Sequence, residues 1–108
     1  MTVKQLSEHQ DFSPVALPHG EREIKGVYIG DLLSWVMGRT KSDDAWITIM
    51  SNVNVMAVAS LADTACVILA EDVSLDKEVK STAEAKGINV LSTKLSAYET
   101  AVILSGLI

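Results

Sequence analysis

Residues 45–71 read Ala-Trp-Ile-Thr-Ile-Met-Ser-Asn-Val-Asn-Val-Met-Ala-Val-Ala-Ser-Leu-Ala-Asp-Thr-Ala-Cys-Val-Ile-Leu-Ala-Glu. Two nearly continuous apolar runs, 46–50 and 65–70, flank a segment that opens on Ser51 and Asn52 and predicts a helix over 53–62. Parallel strands covered on both faces require such unbroken runs, whereas a half-solvated antiparallel strand alternates. The stretch is therefore a βαβ unit, and it sets the fold class as α/β. Its turns hold no glycine-rich phosphate loop, no nucleophile elbow and no cluster of metal ligands, so it says more about architecture than about a reaction.

Outward from this unit, residues 23–29 favour a strand through Ile24, Val27, Tyr28 and Ile29, and Gly30 ends it. Asp31 is placed to cap a helix in which Leu32, Leu33, Val36 and Met37 form the sheet-facing stripe, with Gly38 as its stop. The polar run 39–44 predicts a mobile loop. Further upstream, Thr2 caps a short helix over 3–9, and Pro14 and Pro18 hold 13–18 extended. Downstream, Ser74 is placed to cap a helix over 75–86 with Leu75, Val79 and Ala83 inward and charged residues outward. Lys86 and Gly87 stop it, 88–91 form a short strand, and Ser96 opens a last helix with Ala97, Ala101, Leu104 and Ile108 on one face. Trp46 belongs in the core, and Trp35 there or at an interface. The expected architecture is one compact domain over residues 1–108, a mainly parallel sheet flanked by helices.

Composition narrows the function classes. At 108 residues and 48% hydrophobic, the chain can bury a continuous core. A formal charge of −5, with two Trp, two Tyr and one Phe, argues against nucleic acid, which is bound through clustered Lys and Arg and aromatic stacking. No apolar stretch approaches the roughly 18–20 residues needed to span a bilayer, and the polar N-terminus lacks the features of a signal peptide, so a cytoplasmic protein is expected. The single cysteine, Cys66, lies inside an apolar strand and reads as a buried thiol.

Candidate functional residues fall into two sets. Ser51, Asn52 and Asn54 follow one predicted parallel strand, Glu71 (with Asp72) the next and Thr93 the last, at the strand ends where open α/β sheets bind ligands and where helix amides attract anions. Simple helix capping accounts for the same residue types. The helix over 53–62 is apolar nearly all round, which predicts a second buried side against another subunit, with Val55, Met56, Val58 and Ala59 as candidate interface residues of a homo-oligomer. His9 and His19 have no ligand partners at metal-binding spacing, and no Ser, His and Asp can be given triad roles; neither metal nor cofactor is expected.

The strings Gly26-Val-Tyr-Ile-Gly-Asp-Leu-Leu-Ser-Trp-Val-Met, Ala45-Trp-Ile-Thr-Ile-Met, Asn54-Val-Met-Ala-Val-Ala-Ser-Leu and Ala85-Lys-Gly-Ile-Asn-Val-Leu-Ser-Thr resemble the DRTGG domain family over essentially the whole chain. That family is similar to the N-terminal domain of HPr kinase/phosphorylase and occurs beside nucleotide-binding CBS domains in some pyrophosphatases. The resemblance implies a regulatory or oligomerising domain rather than a catalytic one. The Asp-Arg-Thr-Gly-Gly string itself is absent, with Met50-Ser51-Asn52-Val53-Asn54 and Ala70-Glu71-Asp72 at the corresponding loops, and no phosphate-binding loop of a kinase is present. Two functions follow as expectations: a regulatory module that senses a small anionic or nucleotide metabolite or docks on a larger enzyme, or a structural dimerisation scaffold with no ligand.

Overall fold

The apolar runs become four parallel strands, β2 (Gly26–Ile29), β3 (Asp44–Thr48), β4 (Cys66–Leu69) and β5 (Val90–Ser92), in a computed structural model that describes all 108 residues. A fifth strand, β1 (Ser13–Ala16), pairs antiparallel with β5, and the sheet order is β1-β5-β4-β3-β2. Pro14 fits there because β1 is an edge strand, where a missing amide costs no ladder bond. The ladder slips between Pro14 and Ala16. Every residue of β3 and β4 is buried, as two-sided cover demands.

From β2 to β5 the strands wind in one direction. Right-handed crossovers then put all their helices on one face, and α2 (Leu33–Arg39), α3 (Val53–Ala62) and α4 (Lys77–Lys86) do lie together there, over a core that includes Val36, Trp46, Val55, Met56, Val67, Val79 and Val90. The other face carries α1 (Val3–Ser7) and α5 (Ala97–Leu107) over Leu6, Phe12, Ile47, Cys66, Ile68, Leu91 and Leu104. The molecule is a three-layer α/β/α sandwich with helices flanking a mostly parallel sheet. Trp46 is fully buried and its indole N–H donates to the Gly30 carbonyl at 2.8 Å. Cys66 is buried, and burial pushes its thiol up to about 12, so it packs rather than reacts.

Local chemistry corrects several boundaries. Leu32, not Asp31, occupies the N-cap of α2 and makes no side-chain cap bond. The Asp31 carboxylate is engaged elsewhere, accepting from the Thr48 hydroxyl at 2.7 Å and the Ile49 amide at 3.0 Å, which ties the end of β2 to the end of β3. Gly38 lies inside α2, whose C-cap is Thr40. Helix α4 starts two residues later than expected, behind Asp76 rather than Ser74. Strand β3 begins at Asp44, so part of the run expected to be a mobile loop is in the sheet. The rest is pinned: the Asp43 amide donates to the Asp63 carbonyl at 2.9 Å, Lys41 N to Asp44 Oδ2 at 2.8 Å and Ser42 Oγ to Asp63 Oδ2 at 2.6 Å.

The candidate interface residues of α3 do not face solvent in the single chain. Val55, Met56, Val58 and Ala59 are all buried within the single chain. Helix α3 is the middle of three on its face, so the sheet covers it below while α2 and α4 cover its flanks, and its all-round apolarity needs no second subunit. Its exposed large apolar side chains are Val53 and Leu61.

Candidate functional site

Thr93 follows β5, and its amide donates to the Leu69 carbonyl at 2.9 Å, continuing the ladder one step past the strands. Its hydroxyl accepts the Leu95 amide at 3.2 Å and so shapes the turn into α5. The turn after β4 is fastened to the same loop, with Glu71 N donating to Leu95 O at 2.8 Å and Asp72 N to Thr93 O at 2.9 Å. Glu71 and Asp72 both adopt the left-handed conformation, at φ 59° and 61°. Aspartate tolerates that region; glutamate does so at a cost of about 1 kcal/mol, and these two backbone bonds hold it there.

Beside this turn lies a polar cleft of about 270 Å³, bounded by Gln10, Asp11 and Ser13 from the approach to β1, by Asp72, and by Ser92, Thr93 and Lys94 from the end of β5. A second hollow, of about 290 Å³ and lined mainly by apolar side chains, runs along the start of α5 past Leu95, Tyr98, Val102 and Ile103. The two share Asp11 and Leu95. Together they offer hydroxyls, two carboxylates and one ammonium on one side, and on the other an apolar floor with the Glu99 carboxylate beside it and Tyr98 77% exposed. A third hollow, at the opposite, N-terminal end of the sheet, is lined by Thr2, Lys4, Leu17, Pro18, Gly20 and Glu21, with no aromatic side chain among them.

Of the strand-end residues singled out from the sequence, Thr93 and Asp72 line the cleft; Ser51, Asn52, Asn54 and Glu71 do not. Asn52 is the N-cap of α3, its Oδ1 accepting the Asn54 amide at 2.9 Å, and Ser51 precedes it in the turn from β3. Glu71 contributes its backbone to the loop beside the cleft, and its side chain is exposed. Because β2 to β5 wind one way, the sheet has no point of strand reversal, and the crevice that such a reversal opens in doubly wound folds is missing above β3 and β4. The rim instead opens where antiparallel β1 meets β5. Asp11, Lys94 and Tyr98 were not identified from the sequence, since their role depends on β1 pairing with β5, which 13–18 as a proline-held extended segment did not signal.

The electrostatic cluster of the molecule stands at the other end of the sheet. Arg22 bridges Asp43 at 2.6 Å and Asp63 at 3.1 Å, and Lys25 lies 3.6 Å from Asp43. The hydrogen bond from Arg22, opposed by partial burial and aided by the charges of Arg22 and Lys25, holds the Asp43 carboxyl below the usual range. Burial acts to lower Arg22, but the Asp43 hydrogen bond and the charges of Asp63 and Asp43 more than reverse that, so it is raised. This cluster joins the segment before β2 to the turns before β3 and β4; it has no cleft beside it. No group of three or more His, Cys, Asp or Glu side chains is gathered as metal ligands, and no hydroxyl hydrogen-bonds to His9 or His19.

The chain is similar in structure to the CBS and DRTGG domains of the regulatory region of Clostridium perfringens pyrophosphatase, solved in complex with the activator diadenosine tetraphosphate, at a TM-score of 0.68 and 12% sequence identity. The match covers 86% of this chain and 41% of that one, so this chain spans less than half the length of the protein it matches. At that identity the likeness is one of fold. Among curated proteins none matches. The family model described as DRTGG domain matches residues 18–107, a span that takes in the four parallel strands and α2 to α5. The chain belongs to the DRTGG domain family.

Proposed function

We propose that this chain is a non-catalytic, self-associating regulatory module of the cytoplasm that binds a nucleotide where β1 meets β5. The observation that carries the reading is the junction of a polar cleft and an apolar groove at Asp11 and Leu95. A nucleotide has matching parts: a flat base for the groove beside Tyr98, sugar hydroxyls for the carboxylates of Asp11 and Asp72, and a phosphate for Lys94. A bare inorganic anion suits the site poorly, because one ammonium faces two carboxylates there. The nucleotide activator bound by the regulatory region of that pyrophosphatase, which shares the fold, supports this ligand class. The regulatory region of an enzyme that this fold resembles supports an enzyme as the target of such a module.

The test is thermal unfolding with AMP, ATP and diadenosine tetraphosphate, since a ligand that binds only the native state stabilises it by about 2.7 kcal/mol at a hundredfold excess over its Kd. At least one is expected to raise Tm, with the rise reduced in Tyr98→Ala and Asp11→Asn. No shift with any of the three would leave the structural dimerisation scaffold with no ligand.

A further inference from the structure

Strand β2 is a free edge of the sheet, and apart from its shortness, four residues, it carries no charge, proline or bulge of the kind that keeps edges from pairing. Gly26-Val-Tyr-Ile-Gly30 has no charge and no proline, and its ladder with β3 runs in regular register without a bulge. In a parallel strand successive residues turn their backbone groups to alternate sides. Gly30 donates inward to the Ile47 carbonyl at 3.2 Å, so Ile29 and, two residues back, Val27 turn theirs outward. Along the same stretch the apolar surface is concentrated: Val27, Ile29, Leu32, Trp35 and Met37 are five of the twelve large apolar residues exposed in the molecule, within eleven positions.

We infer that β2 pairs antiparallel with β2 of a second copy about a twofold axis through Tyr28, joining two sheets into one of ten strands. This deepens the self-association part of the proposed function and rests on it. Outward groups at residues 27 and 29 are symmetric about 28, so Val27 of one protomer meets Ile29 of its partner and the reverse, giving four backbone hydrogen bonds from three residues. The stretch 26–38 carries Asp31 as its only acidic or basic residue, so two chains each of charge −5 meet where neither concentrates charge. The five exposed residues supply on the order of 500 Å² per protomer, against about 800 Å² in a standard interface, and the strand backbone with the polar flanks of α2 supplies the remainder.

Cysteine cross-linking tests the axis. Residues facing each other in a non-hydrogen-bonded antiparallel pair lie about 4.5 Å apart at Cα, within the range a disulfide spans. Tyr28→Cys is therefore expected to cross-link to itself under mild oxidation. Val27→Cys and Ile29→Cys, offset by two residues from their own copies, are expected to cross-link when mixed and only weakly alone. The unsubstituted chain is the control, its Cys66 being fully buried. Far-UV circular dichroism confirms that each variant is folded, and Ile29→Lys is expected to give a folded monomer. A monomeric parent by light scattering overturns self-association and this pairing together. A dimeric parent that fails to cross-link at 28, or cross-links equally at 27 alone, overturns only the pairing.

Discussion

Asn89, 2% exposed, holds a loop to the sheet with one amide group. Its Oδ1 accepts the His19 amide at 2.9 Å, and its Nδ2 donates to the carbonyls of His19 at 2.7 Å and Ala65 at 2.9 Å. The same loop presses on the end of α4: Gly87 adopts φ 74°, and a Cβ there would stand 2.9 Å from His19 Nε2. Asn89→Leu keeps the volume but leaves the buried Ala65 carbonyl without this donor, and an unsatisfied buried group costs about 1–3 kcal/mol. The variant is expected to lose about 2–3 kcal/mol in urea unfolding with an unchanged m-value; a loss under 0.5 kcal/mol would show that the loop is not anchored there. Nothing in the local pattern of 88–91 distinguished this asparagine, because its partners lie 24 and 70 positions away.

At the scale of elements, legibility followed the range of the forces involved. Helix α3 has the bounds its pattern predicts, and the Thr2 and Ser96 caps form as expected, both as capping boxes whose bonds span three residues. Boundaries set by distant partners were misplaced. Asp31 satisfies every local rule for an N-cap, yet β3 supplies it with two donors that a local rule cannot see. Residues 39–44 look mobile because they are polar, and they are held because Arg22 and Asp63 gather against them. The candidate site divides in the same way: strand-end position brings Thr93 to the cleft, while Asp11 and Tyr98 arrive through the β1–β5 pairing and the start of α5. The Arg22 staple also gives a pH signature. The folded Asp43 carboxyl lies below its unfolded value of about 3.9, so its stabilisation is present above that value and is lost as pH falls through the folded one. Urea midpoints of the parent and Asp43→Asn are expected to differ at pH 7 and to draw together as pH falls below about 3.9; a gap independent of pH would assign the effect to packing.

Across the whole molecule, the sandwich spends its polar chemistry on fastening. The two ends of the sheet carry different loads: Arg22, Asp43 and Asp63 clamp the N-terminal turns, and the C-terminal rim is left with a cleft at β1–β5, while β2 leaves an uncharged free edge along the side. The proposed ligand site and the proposed pairing edge would stand on opposite sides of the buried strands β3 and β4, an arrangement that suits regulation. Chemistry needs more. Phosphoryl transfer requires a phosphate cradle with its lysine and metal, or a nucleophile with a base in hydrogen-bond reach. The rim offers Ser13, Ser92 and Thr93 with no histidine bonded to any of them, and Asn52 is engaged as the N-cap of α3, with Ser51 before it and no histidine bonded to it. Purified protein with magnesium and ATP is therefore expected to release no phosphate above buffer and to label no serine-containing acceptor. Time-dependent release that disappears in Asp11→Asn, or in Ser51→Ala with Asn52→Ala, would convert the cleft or the α3 turn from a binding site into an active one.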